Sequence, residues 1–442
     1  MRYIPNTKAD KEEMLKEIGV SSFNDLLKDI PEEVMLKKTL DIPTLSEEEL
    51  TEKIFKISKK NLDFRFFKPL IGAGAYRHFV PEAVKAVISR EEFYTSYTPY
   101  QPEISQGNLQ SMFEYQTHLS RLTGMDVIVP SIYDGASATA EATLMAMRLT
   151  HKNKVIISPL LHPHYAETVR TYTAPHQTEI HIAEYKNGLS DLKSIESVID
   201  ENTAAVIVQS PNFFGGIEDI ESITRIAHKK GTLIIQVIAE SLSLGLLKSP
   251  AEMDVDIIAG EAQSFGMDLN LGGPYNGYLG SKMKYIRQIP GRIAGETTDK
   301  SGKRGYVMTF RAREQDIRRE KATSNICSNH ALNIVAGNVY LSLLGKNGIK
   351  KIAELNTKAA HYLRTKLIET GKFSGFKYPF FNEFVLEVKD KERIKDKLIN
   401  NGFIPPFDLG TYYPELEGHM LFAVTEILTK KELDFVVNLL ER

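Results

Sequence analysis

Val255-Asp256-Ile257-Ile258-Ala259-Gly260-Glu261-Ala262-Gln263-Ser264-Phe265-Gly266-Met267-Asp268-Leu269-Asn270-Leu271-Gly272-Gly273-Pro274 runs from an apolar stretch straight into a polar, glycine-rich one. The apolar part reads as the end of a buried strand. Similar short β-branched runs stand at 127–129, 155–157, 180–183, 205–208, 233–238 and 255–258, with helical patterns between them at 138–148, 165–172, 192–199 and 220–228. Parallel strands need crossovers of this length, so the alternation predicts a mostly parallel sheet covered by helices.

Before this tract the pattern is helical. Thr7 with Asp10 forms a capping box ahead of Met14, Leu15 and Ile18, and Gly19 is placed as a stop. Ser22 opens a second helix marked by Phe23, Leu26, Leu27 and Ile30 and closed by Pro31; Ser46 with Glu49 caps a third carrying Leu50, Ile54 and Ile57. Near the other end, Gly345-Lys346-Asn347-Gly348 interrupts a long helical tract, after which 384–388, 393–399, 419–424 and 431–440 read as β, α, β, α. The expected organisation is a helical arm over 1–65, a large α/β domain over 66–330 and a smaller α+β domain over 331–442. No repeat or low-complexity segment interrupts it.

Composition narrows the function. The 442 residues, 42% hydrophobic and 25% charged, have room for two or three domains with real cores. Lys and Arg number 55 against 57 Asp and Glu, so the net charge of −2 offers no polycationic face for nucleic acid or an anionic membrane. Cys327 is the only cysteine, which excludes an intrachain disulfide and a cysteine-rich zinc site. No signal-like core opens the chain and no stretch is apolar for the roughly 18 residues a membrane helix requires, so the expected setting is cytoplasmic.

Three segments could carry chemistry. Tyr133-Asp134-Gly135-Ala136-Ser137-Ala138 follows a strand and opens an Ala-rich helix. Gly135, Ala136 and Ser137 could hold a phosphate on helix N–H groups, or the turn could simply be capped by Asp134 or Ser137. The segment 93–107 packs Tyr94, Tyr97, Tyr100, Pro99, Pro102, Gln101, Glu103 and Gln106 without helical or strand period, which suits a site or interface loop or an exposed polar connection. Arg311, Arg313, Arg318, Arg319 and Lys321 could meet an anion, or form a solvated face paired to Glu314, Asp316 and Glu320. Histidines 78, 162, 164 and 176 lack metal-ligand spacing, so no metal is expected.

Taken together, the segments 71–81, 97–107, 133–136, 211–215 and 318–327 resemble the P-protein of the glycine cleavage system. Within that family they are similar to the first half of the split glycine dehydrogenase (decarboxylating), subunit 1. The resemblance runs from the N-terminal helices past residue 330 and is fainter beyond.

The resemblance implies the aspartate aminotransferase architecture, fold type I of the pyridoxal-phosphate enzymes. It implies a complex that binds glycine through pyridoxal phosphate, releases CO2 and passes the aminomethyl group to the lipoyl H-protein, working with the T- and L-proteins. The catalytic half resembles His-Lys-Thr-Phe-x-x-Pro-His-Gly-Gly-Gly-Gly-Pro, and counting back from Gly272-Gly273-Pro274 puts its lysine at Gln263. An amide is no amine nucleophile. The acid that holds the cofactor's ring nitrogen is expected after the strand ending near Ile238, where this chain offers Gln236 and Glu240. The implied protein is therefore subunit 1 of a heteromeric enzyme, not catalytic alone, paired with a lysine-bearing subunit 2 that holds the cofactor covalently. Tyr97, Tyr100, Gln101, Glu103 and Gln106 are expected to reach the partner's site, with Tyr76, Arg77 and His78 second, and Gly135, Ala136 and Ser137 as a vestigial phosphate cradle. The competing reading is a stand-alone aminotransferase or decarboxylase using Lys248, Lys282 or Lys284.

Overall fold

The computed structural model describes residues 5–38, 40–64, 66–270, 272–310, 313–326 and 330–442; Leu271, Arg311 and Cys327 lie outside the described residues. The chain divides into two compact units, 1–61 and 62–442. In the first, helices span Lys8–Ile18 and Glu47–Ser58, each with the reciprocal capping box predicted for Thr7 with Asp10 and Ser46 with Glu49, and Gly19 ends the first at φ 85°. The expected second helix is a 3-10 turn, Phe23–Leu27. Asp25 is already bonded by the backbone and hydroxyls of Ser21 and Ser22, which tightens the turn. No residue of these helices is buried.

The second unit is built on a seven-stranded sheet. Its strands are β1 (Val127–Ile132), β2 (Lys154–Ile157), β3 (Glu179–Ile182), β4 (Thr203–Gln209), β5 (Leu233–Ile238), β6 (Ile257–Glu261) and β7 (Gly277–Ser281). Their order is β1-β7-β6-β5-β4-β2-β3, and β7 alone runs antiparallel to its neighbours. Every residue of β1, β2, β4, β6 and β7 is buried, because helices cover both faces. The six predicted strands and four predicted helices are present within three residues at each end. The place of β7 between β1 and β6 follows from no local pattern.

Beyond the sheet a hairpin pairs Ile293–Thr298 with Arg304–Thr309. The long helix Ala331–Glu369 is broken at Gly345, whose φ of 57° and ψ of −174° are not helical, as the glycine pair there suggested. A three-stranded antiparallel sheet of Glu383–Glu387, His419–Ala423 and Phe407–Asp408 follows, with an apolar core of Leu386, Phe384, Phe422 and Val436. Among the described residues no helix is long and apolar enough to cross a membrane.

Candidate active-site crevice

One of the three segments singled out for chemistry, with several further polar residues, stands at the carboxyl ends of the parallel strands, where open α/β sheets place their ligands. Tyr133 to Ser137 follow β1, His162 follows β2, Asn212 follows β4, Glu240 follows β5 and Gln263 follows β6. Lys282 and Lys284 lie beyond Ser281, which pairs with Ile257 and Val127, the first residues of β6 and β1. They therefore stand at the opposite edge. Lys282 is bonded to Asp254 and Asp256 at 2.6 and 3.0 Å, Lys284 lies over the Tyr285 ring, and Lys248 is paired with Glu221 on the surface.

Gln263 is 1% exposed and its amide is committed. Oε1 accepts the Tyr76 N–H at 2.9 Å, while Nε2 donates to the carbonyls of Tyr76 and Met267 at 2.9 and 2.8 Å. The Tyr76 hydroxyl donates to Glu383 at 2.6 Å, and the other oxygen of Glu383 accepts the Ala73 N–H at 2.7 Å. Burial pushes the Glu383 carboxyl up to about 7, against the lowering effect of these two donors. Two residues along, the His78 ring faces Glu240 through Nε2 at 3.0 Å and Glu426 through Nδ1 at 2.8 Å. Burial by itself would lower its pKa; the two carboxylates outweigh that and raise it to about 10. His162 bridges from the other side. Its Nε2 donates to the Ala73 carbonyl at 2.9 Å and its Nδ1 accepts the His164 N–H at 3.1 Å, a neutral tautomer whose pKa burial lowers to about 4.

The turn after β1 is likewise closed from within. Asp134 caps the helix Gly135–Thr150 by accepting the Ser137 N–H at 2.7 Å, and Glu261 accepts the Gly135 N–H at 3.0 Å. Burial pushes Glu261 up to about 7 despite that bond and those from Asn276 and Gln263. A Cβ built on Gly135 would stand 2.4 Å from the Tyr165 hydroxyl, so the turn is packed against that ring.

Pyridoxal phosphate does not fit this donor set. Among the described residues the crevice presents no lysine amine, Glu240 is already paired to a histidine, and two helix N–H groups that could take a phosphate are held by carboxylates of the same chain.

The tyrosine-rich loop forms a separate cluster. Tyr100 accepts from Arg292 at 2.8 Å, and Arg292 Nε donates to Glu314 at 2.9 Å. Gln106 clasps Tyr306 of the hairpin, donating to its carbonyl at 2.9 Å and accepting its N–H at 2.8 Å. Tyr97, Gln101 and Glu103 are exposed. Arg77 donates to the Phe64 carbonyl, and His78, named with the residues to be lent, has both ring nitrogens engaged inside its own chain. Of the basic run, Arg313 turns inward to the Gly291 carbonyl at 2.8 Å, while Arg318, Arg319 and Lys321 stay exposed. No cluster of three or more potential metal ligands occurs among the described residues.

Sequence reasoning missed Glu383, Glu426, His162 and Glu261. For the first two a signal existed: each carboxylate abuts an apolar strand, Glu383 opening 383–387 and Glu426 closely following 419–423. A charge at the end of a buried strand needs a partner.

The family model of the glycine cleavage system P-protein matches residues 1–440. A protein of Geobacillus kaustophilus named "Probable glycine dehydrogenase (decarboxylating) subunit 1" is 48% identical over 439 residues, 99% of this chain and 98% of its own. The crystal structure of a glycine decarboxylase (P-protein) of the glycine cleavage system, in inhibitor-bound form, superposes at TM-score 0.90 and 38% identity, covering 100% of this chain and 99% of that one. A sphingosine-1-phosphate lyase of Burkholderia pseudomallei shares the fold alone, at TM-score 0.65 and 14% identity over 92% of each chain. The architecture is fold type I of the pyridoxal-phosphate enzymes.

Proposed function

The chain belongs to the glycine cleavage system P-protein family, and from that premise we propose that it is subunit 1 of a two-subunit glycine dehydrogenase (decarboxylating), without activity of its own. Its partner is the lysine-bearing subunit 2, which holds pyridoxal phosphate covalently, takes CO2 from glycine and passes the aminomethyl group to the lipoyl H-protein. The cofactor supplies the electron sink for that bond cleavage. One observation carries the reading: at the crevice position of the lysine stands Gln263, an amide with both heteroatoms bonded to backbone.

What this subunit adds is position. Gln101 and Glu103 are exposed between two anchors, Tyr100 on Arg292 and Gln106 on Tyr306, and exposed Tyr97 lies just before the first. An anchored loop with exposed polar side chains suits groups that orient a ligand in a neighbouring site, since little freedom is lost when they engage.

Glycine–bicarbonate exchange tests the reading. The chain alone should show none, and adding the sister subunit should restore it; exchange by the partner-free chain would overturn the proposal.

A further inference from the structure

We infer that residues 72–79 form a built-in plug that fills the crevice where this fold holds its cofactor, and that the His78 ring, between Glu240 and Glu426, supplies the cation that the cofactor's ring nitrogen supplies in catalytic relatives of the fold.

The plug crosses the carboxyl ends of three strands. Ala73 meets His162 beyond β2, Tyr76 meets Gln263 beyond β6 and His78 meets Glu240 beyond β5. Its backbone is paired as strand backbone would be. Ala73 N–H goes to Glu383, both polar groups of Tyr76 to Gln263, Phe79 N–H to Glu426 at 2.8 Å, and the Arg77 carbonyl accepts from Thr425 at 2.7 Å. Connecting segments normally run over the surface because water satisfies such groups; this one is half-buried, with Tyr76 and His78 fully buried and Phe79 exposed, and side chains from distant strands take the place of water on its inner face. Close approach depends on glycine. A Cβ on Gly72 would stand 2.5 Å from Glu383 Oε1, and one on Gly74, at φ 97°, would stand 2.7 Å from the His162 ring.

Charge explains the histidine. In pyridoxal enzymes an acid after this strand pairs with the cofactor's ring nitrogen. A buried carboxylate left without a partner is strongly destabilising. Glu240, 2% exposed, therefore needs a resident cation, and both nitrogens of His78 face carboxylate oxygens. Glu383, Thr425 and Glu426 come from the C-terminal strands or their flanks, so the same residues also tie those strands to the large sheet.

The full-length chain without its partner tests this, with pyridoxamine 5′-phosphate as probe because it has no aldehyde to bond surface lysines. Calorimetry should find no saturable binding, and hydrogen exchange should show protected amides at Ala73, Tyr76 and Phe79, unchanged by the probe. Saturable binding, or fast exchange at these amides, overturns the plug. In a second arm, His78→Ala should lower Tm by about 3–6 °C, and added imidazole should recover part of the loss in that variant and none in wild type. A Tm equal to wild type overturns the role of the ring; should the variant not fold, the binding and exchange results decide. Neither arm uses the partner, so failure here leaves the subunit reading, which exchange activity tests, untouched.

Discussion

The Gln263 side chain and the Tyr76 backbone form a closed pair of hydrogen bonds, Tyr76 N–H to Oε1 and Nε2–H to the Tyr76 carbonyl, each 2.9 Å long and linking residues 187 positions apart. A lysine there could donate to the carbonyl but would leave the buried Tyr76 N–H without an acceptor and bring an unpaired charge. Gln263→Lys should therefore destabilise the chain by about 2–4 kcal/mol and still not produce an enzyme. Urea unfolding and glycine-dependent CO2 release check the two halves; release of CO2 by this single variant would show that the crevice had stayed open.

The exposed loop predicts effects in trans. Tyr97→Phe and Glu103→Gln remove one hydroxyl and one charge from surface positions, so Tm and assembly with the sister subunit should hold. Exchange by the reconstituted complex should fall by roughly one to three powers of ten, the range for losing one orienting or acid–base group. Rates within about twofold of wild type would mark the loop as a plain connection.

His78 predicts alkaline sensitivity. Its folded pKa of about 10 lies above the ordinary 6.5, so its contribution is complete below 6.5 and is lost as pH rises through about 10. The Tm difference between wild type and His78→Gln should accordingly be constant below about pH 6 and shrink steadily as pH rises from about 6.5 to 10. A difference that stays level to that pH would contradict the charged pairing.

Glu383 predicts a slope of the same sign in a lower pH window. Its folded pKa of about 7 exceeds the ordinary 4.5, so the folded state holds more protons between those values and this carboxyl's contribution falls as pH rises across them. Glu383→Gln should remove that part of the slope. The comparison is urea midpoints of both proteins at the two ends of the window; equal slopes would mean that the carboxyl does not titrate there.

Much of this was readable from local pattern. The alternation of short apolar runs with amphipathic stretches predicts β1 to β6 because strand and helix periods are properties of neighbours in sequence. Capping at Thr7 and Ser46 is legible for the same reason. The departure at 263 is legible by counting from Gly272-Gly273-Pro274, since residue identity at a spaced position needs no coordinates. The second predicted helix shortened to a 3-10 turn because Asp25 serves several donors at once, a competition that propensity does not weigh.

By itself, then, the sequence determined the class of fold, the absence of an amine at 263 and the presence of a polar, aromatic loop at 93–107. Only the tertiary structure decided that Tyr76 closes on Gln263, that Glu240 and Glu426 share His78, and that β7 enters the sheet between β1 and β6. The physical reason is one of range. Periodicity and capping are set within a few residues, whereas the partner of a buried polar group is set by which strand ends converge, here across separations of 162, 187 and 348 residues.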